Sequence, residues 1–201
     1  MIPLWKPSIK KKEKDAINEV LLEGYLGHGS FTNKFEEKSA QILELDKENL
    51  IACSTGHAAL HLIINTLCPN KGNIATPTFN NIADFQSILN NSCIPVLLDS
   101  VSSNNPYVSP ELLTKCIRDN HIDAFIALDY ASDFCPLEEY YEICTRYRVK
   151  LIYDAAHSFG SIDYSRLKYC DAAMFSFDPI KTFTCIDAGL IYFKDPDLIY
   201  S

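Results

Sequence analysis

Val149–Gly160, VKLIYDAAHSFG, is the stretch on which the fold turns. Val149–Tyr153 is apolar apart from Lys150 and shows no polar alternation, as in a strand buried on both faces of a sheet. Asp154 follows directly, so its carboxylate emerges at the strand's end, and Ala155 and Ala156 leave room for a bulky group near the backbone. Two readings fit Asp154. It accepts a hydrogen bond from a protonated ring nitrogen and keeps that ring cationic, or it caps the next helix.

Further short β-rich runs lie on either side: Leu50–Cys53, Ile94–Leu98, Ala124–Leu128, Ala173–Phe177 and Gly189–Phe193. Helical patterns separate them. Leu60, Ile63, Ile64 and Leu67 make one apolar stripe. Ser109-Pro110-Glu111 reads as an N-cap followed by proline at the first helical position, and Leu137–Arg148 as another helix. Strands alternating with helices make βαβ units and a mainly parallel sheet, whose ligands bind at the carboxyl ends of the strands.

Three other segments place unusual residues at such ends. In Met174–Thr182 a strand ends at Ser176, and a turn through Pro179 presents Lys181 among Phe177, Ile180 and Phe183. Desolvation there favours the neutral amine that builds a Schiff base; the competing reading is a surface lysine snorkelling to solvent. In Cys53–Leu60 a strand gives way through Gly56 and His57 to an amphipathic helix, so free N–H groups form either a phosphate cradle or an ordinary capped turn. Thr76–Asn81 follows a short strand, and Phe79 either stacks on an aromatic ligand or belongs to the core.

The order of these segments, with Ser176 and Lys181 standing 22 and 27 residues after Asp154, resembles the DegT/DnrJ/EryC1/StrS family of sugar aminotransferases dependent on pyridoxal 5'-phosphate (PLP). The resemblance also takes in Gly24–Gly29 with Phe35-Glu36, and Pro95–Asp99. It implies a three-layer α/β/α fold with a mainly parallel sheet, the large domain of a fold-type-I PLP-dependent transferase, over residues 1–201. Lys181 would then be catalytic and carry PLP as a Schiff base. Asp154 would face the ring nitrogen, His157 the phenolic oxygen and Phe79 the ring face, with Ser176, Gly56 and His57 at the phosphate. The implied reaction moves an amino group, typically from glutamate, to a nucleotide-linked keto sugar in polysaccharide or secondary-metabolite assembly, within a homodimer or a pairing with a homologous subunit. Lys181 also separates the chain from the family's dehydratases, which replace that lysine with histidine.

Some positions depart from the family pattern. His57 replaces a common Thr or Ser, Asp129-Tyr130-Ala131-Ser132 stands where His-x-Tyr-Gly is common, and Ile186–Gly189 replaces an acidic-Gly-Gly turn. The chain has 7 glycines where ordinary usage gives about 14. The family's smaller C-terminal domain has no counterpart before Ser201, so a truncated form, half of a split enzyme and a shortened non-catalytic partner subunit are all compatible with the sequence.

Bulk properties are ordinary for a soluble globular protein. Hydrophobic residues make up 47% of the 201 and charged residues 22%, and the net charge of −8 disfavours nucleic acid or an anionic membrane as partner. No apolar run approaches the roughly 20 residues of a membrane span, and Met1–Lys14 lacks a signal peptide's apolar stretch, so a cytoplasmic location is expected. The nearest two of the eight cysteines are nine positions apart, which gives no metal spacing and suits small hydrophobes better than disulfides. No metal is expected.

Overall fold

Strands without polar alternation need cover on both faces, and the computed structural model supplies it. It describes residues 6–131, 133–161 and 163–200. Ser132 of the Asp129–Ser132 segment, the first five residues of the start and Ser201 lie outside these. Seven strands, β1 (Leu50–Cys53), β2 (Asn73–Pro77), β3 (Ile94–Leu98), β4 (Ala124–Leu128), β5 (Lys150–Asp154), β6 (Ala172–Ser176) and β7 (Gly189–Phe193), form one sheet in the order β1-β7-β6-β5-β4-β2-β3. Only β7 runs against its neighbours, and the pairs β2–β3, β2–β4, β4–β5 and β5–β6 are parallel. The mainly parallel α/β/α reading therefore holds.

Two strand limits need correction by one residue. The expected Val149–Tyr153 and Ala173–Phe177 become Lys150–Asp154 and Ala172–Ser176. Asp154 belongs to the ladder itself, in register with Leu128 and Met174. Its side chain is thereby fixed by two neighbouring strands.

The α-helices among the described residues are α1 (Lys11–Glu23), α2 (Ser30–Leu43), α3 (Gly56–Leu67), α4 (Ile82–Asn90), α5 (Pro110–Asp119) and α6 (Leu137–Tyr147). On one face, Leu60, Ile63 and Ile64 of α3 and Ile88 of α4 pack with Ile126, Ile152 and Met174. On the other, residues of α2, α5 and α6 pack with Phe125, Leu151, Tyr153 and Phe175. Adjacent strand residues thus feed opposite cores, as the two-residue period of a strand requires. Ser109 caps α5 by accepting the Leu112 N–H at 3.1 Å, as its sequence predicts. Six of the eight cysteines are buried and all eight are free thiols.

Phe35-Glu36, read as part of an entry segment, lies within α2 and braces the sheet edge. Buried Glu36 accepts the N–H of Ala52 on edge strand β1 at 2.9 Å, and Phe35 meets Phe177 edge-on at 5.1 Å. No described helix is long and apolar enough to cross a membrane.

Candidate active site

The carboxyl ends of β1, β2, β4, β5 and β6 border a cavity of about 920 Å³, lined by Gly56, His57, Asp154, His157, Ser176 and Lys181 among others. Six of the seven site residues expected from sequence therefore line it. Phe79 does not. It is half-exposed and rests against Tyr130, with ring centroids 4.8 Å apart, while Tyr130 lines the cavity and stacks on His157 at 5.7 Å.

Lining the cavity, Thr55 caps α3 by accepting the Ala58 N–H at 2.9 Å, and the first intrahelical bond runs from Ala59 N–H to the Thr55 carbonyl. The N–H groups of Gly56 and His57 precede that bond and carry the partial positive charge of a helix start. Gly56 is pressed against Ser176, where an added Cβ would lie 2.8 Å from the serine Cβ and 3.0 Å from its hydroxyl. Absence of a side chain lets the helix start and the hydroxyl converge, and together they fit an anion.

On the same cavity, buried Asp154 accepts the Ala156 N–H through Oδ1 at 2.8 Å. The helix cap expected of Asp154 is corrected: turns and not a helix follow over 156–161, and Asp154 braces the first of them while lining the cavity. Beside it lies Asp84 of α4, fully buried and in carboxyl-to-carboxyl hydrogen-bond contact with Asp154. Burial raises the pKa of both acids. Asp154's charge pushes Asp84 further, well above the ordinary carboxylate range, whereas the Ala156 N–H and the Asp84 bond temper the rise at Asp154.

Sequence reading did not single out Asp84. Its helix turns Asp84 and Ser87 inward while Ile82 and Leu89 face solvent, the reverse of ordinary amphipathic patterning. An acid inside Ile82–Asn90 was the available signal, and Ile88 alone marks the buried face as apolar.

Lys181 sits in a turn held by its own N–H to the Asp178 carbonyl at 3.0 Å. Of the three apolar neighbours expected to desolvate it, Phe177 is buried, whereas Ile180 and Phe183 are about half exposed. Partial burial still lowers the lysine pKa, against the opposing charges of Asp154, Asp178 and Asp84. More neutral amine is present than on a solvated lysine. His157 accepts the Ala131 N–H through Nδ1 at 3.2 Å, which puts the proton of the neutral ring on Nε2, and burial followed by the Lys181 charge lowers its pKa.

Two of the departures from the family pattern occupy left-handed backbone. Ala131 has φ 53° and Ile186 φ 82°, conformations that glycine adopts without strain.

The model of the DegT/DnrJ/EryC1/StrS aminotransferase family matches residues 7–200. Among solved structures, the aminotransferase TlmJ from Streptoalloteichus hindustanus shares 24% identity with a TM-score of 0.86, over 100% of this chain and 55% of that one. Sugar aminotransferase CalS13 from Micromonospora echinospora shares 20% with a TM-score of 0.87, over 98% and 55%. NtdA from Bacillus subtilis, with bound cofactor PMP, shares 23% with a TM-score of 0.85, over 94% and 44%. The chain spans about half the length of these solved relatives.

Proposed function

Because the chain belongs to the DegT/DnrJ/EryC1/StrS aminotransferase family, we propose that its cavity binds PLP at Lys181 and serves amino-group transfer to a sugar. The carrying observation is the common placement of an amine, a buried carboxyl pair and an anion cradle around one cavity. The residues fit the cofactor: Gly56, His57 and Ser176 suit its phosphate, Asp154 its ring nitrogen and Lys181 its aldehyde. The Nε2–H of His157 suits the phenolic oxygen, and Tyr130 supplies an aromatic wall. When bound, PLP supplies an electron sink for the carbon attached to the transferred nitrogen.

The chain's own groups have definite tasks. Asp154 accepts the ring N–H and keeps the ring cationic, because a carboxylate in a buried site favours a cation beside it. Lys181, with its lowered pKa, would be the amine that holds the cofactor at its aldehyde carbon and the group that holds or returns a proton at Nζ. Phe79 packs behind Tyr130 and does not line the cavity itself. A cavity of about 920 Å³ leaves room beside the cofactor for a second ligand. We assign that space to the amino donor, glutamate, and to a nucleotide-linked keto sugar in polysaccharide or secondary-metabolite assembly. On this reading a second copy of the chain, or a homologous subunit, completes the site.

The test is chemical trapping. The purified chain is incubated with PLP and reduced with borohydride, and the modified peptide is mapped by mass spectrometry. The expected adduct is on Lys181 and is absent from Lys181→Ala. A chain that takes no label, or takes it on another lysine, overturns the reading.

A further inference from the structure

Two carboxyl groups buried side by side resist ionising together, because burial weakens the hydration that would offset their repulsion. Asp84 and Asp154 are such a pair, with relative exposures of 0% and 2%. Each is tied to its own element: Asp84 Oδ2 accepts from Asn80 Nδ2 at 3.2 Å, and Asp154 Oδ1 accepts from Ala156 N–H at 2.8 Å. Oδ1 of Asp84 is buried, with no N–H or hydroxyl among the described residues reaching it. A carboxyl–carboxyl bond needs a proton between the two groups, and Asp154 already receives a backbone N–H, which favours its charged form. A buried carboxylate oxygen that meets no donor is costly, so the proton is assigned to the orphaned Oδ1 of Asp84.

Resting on the PLP reading above, we propose that Asp84 is a positioning residue: it donates its proton to Asp154 and so presents one negative charge, correctly aimed, to the ring nitrogen of the cofactor. The lone pairs of Asp154 then divide among the Ala156 N–H, the Asp84 O–H and the ring N–H. The pair's single charge matches one pyridinium. The charged groups felt by Asp84 are Asp154 from β5 and Lys181 from the turn after β6, and Asp154 in addition feels Asp129 at the end of β4.

Two variants separate positioning from packing. Asp84→Asn keeps the size and the donor without an ionisable group, whereas Asp84→Leu keeps the approximate size and removes the donor. PLP affinity is measured by absorbance titration at pH 7. Asp84→Asn is expected to bind within about threefold of the unmodified chain, and Asp84→Leu at least about tenfold more weakly, a difference of about 1.4 kcal/mol. Equal affinity in both variants, or equal loss in both, overturns the positioning role.

An infrared difference spectrum, unmodified chain minus Asp84→Asn and without PLP, reads the proton directly. A protonated-carboxyl band at pH 7 is expected, and its absence overturns the shared proton whatever PLP does. If the band is present and PLP fails to bind the unmodified chain, the cofactor reading falls and the positioning role falls with it.

Discussion

Two aspartates stand at the ends of adjacent parallel strands, and the fold treats them in opposite ways. Asp129, just past β4, is fully buried and surrounded by donors. It accepts from the Cys135 N–H at 2.9 Å, the Ser158 hydroxyl at 3.2 Å and the Tyr153 hydroxyl, with Arg166 Nη2 3.7 Å away. Asp154, at the end of β5, is almost as buried but meets a second acid and opens on a cavity. A buried charge with every lone pair met holds a structure together. One left short of donors, facing a space, is kept for a ligand.

Removing each acid is the strongest way to break this comparison. Asp129→Ala strands Arg166, the Tyr153 hydroxyl and a backbone N–H, and is expected to lower unfolding free energy by about 3–5 kcal/mol. Asp154→Asn relieves the carboxyl pair, so its urea-unfolding free energy is expected to stay within about 1 kcal/mol of the unmodified chain while PLP binding weakens about tenfold. Equal destabilisation by the two variants would erase the distinction.

Gly56→Ala probes the helix start that lines the cavity. The new methyl meets the Ser176 side chain at 2.8 Å and drives the helix start from the hydroxyl. PLP affinity is expected to fall about tenfold, or about 1.4 kcal/mol, whereas pyridoxal, which lacks the phosphate, loses much less.

The smallest expected effect is on pH dependence. Asp84 and Asp154 are both raised above the ordinary value of 3.8. Above that pH the folded chain holds protons that the unfolded chain has released, so these groups make stability fall as pH rises. Lys181, lowered from 10.5, works the other way at the alkaline end. Melting temperature in Asp84→Asn is therefore expected to decline less between pH 5 and 8 than in the unmodified chain, and an unchanged slope would contradict this.

Period and order made much of this molecule readable. Val149–Tyr153 and Ala124–Leu128 announce buried parallel strands because their apolar runs have no solvent face. Asp154, Ser176, Gly56 and Lys181 were found because each immediately follows such a run or turn. What escaped depends on side-chain direction. Phe79 and Tyr130 are both aromatic residues after strands, and nothing in their spacing says which one lines the cavity. Asp84 was hidden because α4 exposes Ile82 and Leu89, so its apolar residues do not mark the face that turns inward.

The central claim is that Asp154 holds the ring nitrogen of a cofactor bound at Lys181. It is tested most directly by NMR of the chain loaded with PLP labelled with nitrogen-15 in the ring. A protonated-nitrogen shift in the unmodified chain, moving to the neutral position in Asp154→Asn, is the predicted result. A ring nitrogen that is neutral in both, or protonated in both, would contradict it.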